Sequence, residues 1–115
     1  DYSYRAKLSI HLARRAGIIT RYQGLTRWIG LIQKENHIQL IRNWYGETVL
    51  AEAARDWDVD TLYEYRLDVN GATITAWVDN EKLFTVEDTE LSCGGVGFLF
   101  DTGIIGFREV SVRPV

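Results

Sequence analysis

Arginine and tryptophan recur at strand-like spacings in this chain, and five residues carry the most usable chemistry: Arg21 and Gln23, Arg42 and Trp44, and Trp77. An indole face accepts the C–H surface of a ring, and a guanidinium fork hydrogen-bonds hydroxyls or phosphates in pairs. Together they would hold a hydroxyl-rich or phosphate-bearing ligand without transforming it. The competing reading is packing. Aromatic residues in layered β proteins also build cores and docking surfaces, and Trp28, followed by Ile29, Gly30, Leu31 and Ile32, reads as buried.

Reactive chemistry has less to work with. A glycosidase needs two carboxylates about 5 Å apart or roughly 6.5 to 9.5 Å apart, depending on stereochemistry. Glu87 and Asp88 are adjacent and so face opposite ways on a strand. His11 and His37 fall on separate strands, neither in a nucleophile pattern with a serine or with Cys93. Asp56, Asp58 and Asp60 flank Trp57 in a stretch without alternation, which reads as a solvated acidic loop. It lacks the glycine of a tight calcium turn, so neither a metal nor a cofactor is expected. Gly94-Gly95-Val96-Gly97 leads into a strand-like run and not a helix, so it is no phosphate cradle.

The elements that must position these residues are strands. Val69-Asn70-Gly71-Ala72 reads as a hairpin with Asn70 and Gly71 in a type I′ loop. Counting outward pairs Val69 with Ala72, Leu67 with Ile74, Tyr65 with Ala76 and Tyr63 with Val78, all apolar and all on one face. Trp77 then points the other way, expected beside Phe84 and Val86 across a second turn at Asp79-Asn80-Glu81. Tyr2 to Leu12 alternates with period two, and further strand patterns run over Ile18 to Gln23, Trp28 to Lys34, His37 to Asn43, Thr48 to Ala53, Gly94 to Phe100 and Gly106 to Val112. About ten short strands without a convincing helix predict two stacked antiparallel sheets, an all-β jelly-roll sandwich.

Composition sets the outer bounds. At 115 residues the chain predicts one domain over 1–115. A net charge of −3 with scattered Lys and Arg provides no basic stripe, so nucleic acid is not an expected partner. No apolar run is long enough for a membrane span and no leader pattern is present. A single cysteine, Cys93, removes any internal disulfide, and a cytoplasmic setting is the expectation. There is no Met, and the chain opens within a strand pattern, which reads as a domain from a longer protein.

The segments Gly17-Ile18-Ile19-Thr20-Arg21-Tyr22-Gln23, Arg27-Trp28-Ile29-Gly30-Leu31 and Gly46-Glu47-Thr48-Val49-Leu50-Ala51-Glu52 resemble consecutive strands of the concanavalin A-like, laminin-G-like jelly roll. Tyr63 to Gly71, Ala76 to Asn80, Gly95 to Phe98 and Phe107 to Val112 are similar to its later strands. Within that superfamily the chain resembles the C-terminal accessory domain of bacterial ADP-ribosylglycohydrolase-type proteins. One departure is Asp79-Asn80 where that hairpin usually has Asp-Gly, which asparagine accommodates by tolerating a left-handed backbone. A second is that the jelly roll has strands preceding the position of Asp1, so part of a sheet edge is expected to be lacking. The resemblance implies a non-catalytic accessory module of a hydrolase, and the aromatic and arginine residues Arg21, Gln23, Arg42, Trp44 and Trp77 are the expected face for a carbohydrate or ADP-ribose-like ligand. Docking onto the parent enzyme or onto a second copy is the alternative, and a glycoside hydrolase in its own right is third.

Overall fold

The computed structural model describes residues 2–12, 14–58, 60–89, 91, 94–100 and 104–114, and Cys93 lies outside them. Among the described residues the chain forms β1 (Tyr2–Leu12), β2 (Ala16–Gly24), β3 (Arg27–Gln33), β4 (His37–Trp44), β5 (Glu47–Ala54), β6 (Tyr63–Asn70), β7 (Thr73–Val78), β8 (Glu81–Glu87), β9 (Gly95–Phe100) and β10 (Ile104–Pro114). They pair into two five-stranded sheets, β10-β1-β6-β7-β8 and β5-β4-β3-β2-β9. Every pairing is antiparallel, and the first and last strands lie side by side.

Alternation decides which side chains meet between the sheets. Tyr4, Ala6 and Leu8 of β1, Tyr65, Leu67 and Val69 of β6, and Ile74, Ala76 and Val78 of β7 are buried against Ile18, Ile29, Leu31, Ile38 and Leu40 of the second sheet. Full burial of each large aliphatic side chain contributes about 1.5 to 3 kcal/mol. Polar ties join the layers as well. The Tyr4 hydroxyl donates to the Gly97 carbonyl at 3.0 Å, and the Tyr2 and Thr20 hydroxyls are hydrogen-bonded.

The β6–β7 hairpin differs from expectation by two residues. Asn70 pairs with Thr73, Val69 with Ile74, Leu67 with Ala76 and Tyr65 with Val78, leaving Gly71 and Ala72 as the loop. Gly71 has φ 60° and Ala72 is not among the positive-φ residues. That is the type II′ pattern, with glycine at its first central position, where the sequence pointed to type I′ with glycine second. A slip of two preserves every inward and outward assignment, because side chains alternate with period two. The next turn does take the I′ pattern, with Asp79 and Asn80 at φ 50° and 65°.

A second correction follows from a bulge. Ala76 pairs with Phe84 but Trp77 pairs with Lys82, because the β7–β8 register shifts between Ala76 and Trp77. Phe84 therefore packs into the core and Val86 against it, and neither flanks Trp77.

Candidate functional site: a groove on the outer face of the second sheet

β3 is apolar on both faces. Ile29 and Leu31 point inward, while Trp28 and Ile32 point outward and form a separate buried cluster with Ile19 and Ile41, against which Leu99 packs. An outer face of this kind must be covered, since water on it would be costly. Gly30 makes room at the centre, where an added Cβ would stand 3.0 Å from Ile19, Ile32 and Trp28 side-chain atoms. The covering comes partly from charge. Arg15 precedes β2 and Glu47 opens β5, yet their side chains meet bidentately at 2.7 and 2.9 Å. Roughly 14 Å of sheet separates their strands, so the pair reaches over β3 and β4.

Beside that bridge lies a groove of about 530 Å³, its floor and walls including Trp28, Tyr22, Leu25, Asn43, Glu47 and Arg15. Trp28 is only 4% exposed, with its indole N–H donating to the Leu25 carbonyl at 3.2 Å, so its orientation is fixed. Asn43 is held by accepting the Gly46 N–H at 3.0 Å. Tyr22 reaches the groove because β2 is irregular. Its register with β3 shifts between Thr20 and Gly24, and Arg21 adopts φ 50°. A guanidinium, a carboxylate and an amide thus stand against an aromatic floor, the mixture of apolar surface and few fixed polar groups that a small-molecule site requires.

The five residues singled out in the sequence do not share one surface. Arg21 is 4% exposed, and its guanidinium donates to the Leu91 carbonyl at 2.7 Å and to the Gly71 carbonyl, bracing the sheets from within. Arg42 likewise points between the sheets, donating at 3.0 Å to Asp88, whose side chain is 1% exposed. Gln23 is half-buried on the same strand as Tyr22. Trp44 is exposed at the end of β4, edge-on to Tyr45 at 5.2 Å. Trp77 lies on the outer face of the other sheet, with the Arg66 guanidinium 4.7 Å from its ring centroid. Arg66 in turn grips Asp68 at 2.9 and 2.7 Å. Burial, the largest single influence, raises the Asp68 carboxyl, but hydrogen bonds from Arg66 and Ser3 together with the charges of Arg66 and Arg5 outweigh it and hold the group below the usual carboxylate range.

Three residues of the groove, Arg15, Asn43 and Glu47, carried no signal as single positions, and Tyr22 was concealed by the bulge. The legible clue was β3 itself, whose Trp28 and Ile32 alternate with Ile29 and Leu31 to leave no polar face. In the acidic segment, Asp60 pairs with His11 at 3.1 Å and the Trp57 indole anchors to the Lys34 carbonyl at 3.0 Å. No group of three or more His, Cys, Asp or Glu able to hold a metal occurs among the described residues.

No protein-family model and no curated protein matches the sequence. Solved structures do match. The chain superimposes on the carbohydrate binding module CBM66 from Bacillus subtilis with TM-score 0.88 and 17% identity, covering 99% of this chain and 75% of that one. The chain folds as a concanavalin A-like, galectin-type β-sandwich. Galectin LEC-6 from Caenorhabditis elegans gives TM-score 0.76 at 14% identity, covering 98% of this sandwich and 82% of the galectin. A mutant GH43 protein, BlXynB from Bacillus licheniformis, gives TM-score 0.77 at 14% identity, with the sandwich matching 27% of its chain. At these identities the likeness is one of fold.

Proposed function

We propose that this β-sandwich is a non-catalytic carbohydrate-binding module whose ligand occupies the groove over Trp28. The observation that carries the proposal is the Arg15–Glu47 pair, which holds donors and acceptors beside Tyr22, Asn43 and an immobilised indole. Hydroxyl pairs on a sugar match a fixed guanidinium and carboxylate, and a C–H face matches the exposed Tyr22 ring, with buried Trp28 as apolar floor. Structural neighbours named as a carbohydrate binding module and as galectins support the same ligand class. Among the described lining residues Glu47 is the lone carboxylate, whereas glycoside hydrolysis uses two, so the reading is binding without turnover.

Attachment to an ADP-ribosylglycohydrolase-type enzyme draws no support from these neighbours, and the ligand proposed is a sugar and not ADP-ribose. The test is retention on immobilised glycans. Wild-type protein should be retained on at least one neutral glycan, and Glu47→Gln should lose retention while its melting temperature stays within a few degrees. Failure of the wild-type protein to bind any glycan would overturn the proposal.

A docking role rests on the two sheet edges, of which β9 also forms one rim of the groove. Val96 and Phe100 on β9 and Phe107, Val110 and Val112 on β10 are all exposed, and both strands are sheet edges. Phe98 and Phe107 stack at 4.8 Å across that flank. Concentration-dependent light scattering separates the two roles, since a strictly monomeric particle removes self-association.

A further inference from the structure

The sandwich is closed along one flank and open along the other. Beside β5 and β8, Ala51, Ala53, Leu83 and Val86 pack onto the core, and the Arg42–Asp88 pair ties the sheets at 3.0 Å. Beside β9 and β10, core-facing positions stand in water. Phe107 lies across from Leu8, Val112 across from Tyr4 and Phe100 across from Ala16, and each of those three partners is buried. Partners in a ladder share a face, so Phe107, Val112 and Phe100 point between the sheets. They are nonetheless 57%, 50% and 48% exposed. The core runs out to an uncovered margin.

Two edges border that margin, and their chemistry differs. β10 carries Arg108, Glu109 and Arg113, ends in Pro114, and is bulged where its register with β1 shifts, with Glu109 at φ 51°. Charge, proline and a bulge are the devices that keep an edge strand from pairing. At the far flank, β5 carries Glu47 and Glu52, and β8 carries Glu81, Lys82 and Glu87. β9, Gly95-Val96-Gly97-Phe98-Leu99-Phe100, has neither charge nor proline. Of the edges of the two sheets, it alone is left receptive to another strand.

An occupant of this edge must be an extended, uncharged segment that turns alternate apolar side chains toward the core. The chain holds one such segment at an edge, β9 itself. Laid antiparallel about a twofold axis at Phe98, two copies of β9 oppose Val96 to Phe100 and Gly97 to Leu99 of the second copy. Each pair sets a smaller residue against a larger one, and no like charges meet.

We infer that the β9 edge is a self-association surface, on which a second copy of this chain adds its own β9 so that the two five-stranded second sheets run on as one. This makes the docking reading specific, with a second copy as partner, and it does not depend on what the groove binds. Val96 and Phe100 of the second copy cover the margin at Phe107. The pairing is isologous and leaves only charged edges outside, so assembly closes at the dimer.

Sedimentation velocity on the wild-type chain should show the mass doubling as concentration rises roughly a hundredfold through the micromolar range, the regime of small interfaces. Amide hydrogen exchange should slow within residues 95–100 over the same range. Val96→Lys with Phe100→Lys sets like charges face to face and should hold the particle monomeric. Val96→Lys with Phe100→Glu sets opposite charges face to face and should restore the dimer, with thermal melts showing that both variants fold. A dimer that survives the double lysine variant, or exchange that slows on β10 in place of β9, overturns the β9 pairing while association of copies stands. A Lys–Glu variant that folds and stays monomeric overturns the register about Phe98. A wild-type chain that is monomeric throughout overturns the second copy as partner. If a variant fails to fold, the wild-type exchange pattern decides.

Discussion

Arg15 and Glu47 meet bidentately at 2.7 and 2.9 Å although their strands are separated by β3 and β4. Both side chains keep partial solvent access, so the pair contributes little to stability, about 1 kcal/mol or less. On the proposed function its importance lies in affinity. Glu47→Gln should weaken saccharide binding by more than tenfold and move the melting temperature by only a few degrees. Calorimetric titration beside a thermal melt separates the two effects.

Gly94 packs so tightly beneath β2 that a Cβ would stand 2.4 Å from the Arg21 carbonyl carbon and 2.6 Å from the Tyr22 carbonyl oxygen. Its φ of +140° adds backbone strain for any other residue. Gly94→Ala should cost about 2 kcal/mol or more by displacing backbone. Because the displaced segment presents Tyr22, saccharide affinity should fall as well, which urea denaturation and titration would measure separately.

Arg42 and Asp88 form a tie between the sheets, with Asp88 buried. Removing one partner of a buried ion pair costs about 3 to 5 kcal/mol, since the other charge loses its compensation. Arg42→Ala should therefore destabilise the fold by an amount visible in any chemical melt. An unchanged midpoint would contradict the inward placement of Arg42.

The division of residues between core and surface was legible because alternation survives errors of register. Tyr65, Leu67, Ile74 and Val78 face inward although their partners sit two residues from the expected ones. What could not be read was anything depending on irregular backbone or on sheet order. The displaced register between Thr20 and Gly24 sends Arg21 inward and Tyr22 into the groove, against the simple expectation that Arg21 and Gln23 share a face. Trp77 and Trp44 looked equivalent as exposed tryptophans, yet they belong to different sheets. Arg15, in a connection, gains its partner only because β5 lies three strands from β2.

Titration should show in the stability profile at both extremes. Asp68 titrates below its ordinary 3.8 in the folded protein, so its contribution is present above that value and is lost as pH falls through the depressed one. Asp68→Asn should flatten the acid limb of the stability curve. Tyr4 behaves oppositely, pushed up to about 12 mainly by burial. Its contribution is complete below the ordinary 10.0 and is lost as pH rises through about 12. Tyr4→Phe should lose about 1 kcal/mol near neutrality with the Gly97 hydrogen bond and soften the alkaline limb, as followed by circular dichroism across that range.

The central claim is that a saccharide occupies the outer face of the second sheet. A two-dimensional NMR titration with a monosaccharide component of a glycan that retains the protein tests it most directly. The predicted result is early, saturable shifts at the Trp28 indole N–H, the Asn43 side-chain amide and the Tyr22 and Gly97 amides, with Trp77→Ala binding unchanged. Shifts gathering instead at the Trp77 indole N–H and the Arg66 and Asp68 amides, on the opposite face of the sandwich, would contradict the account.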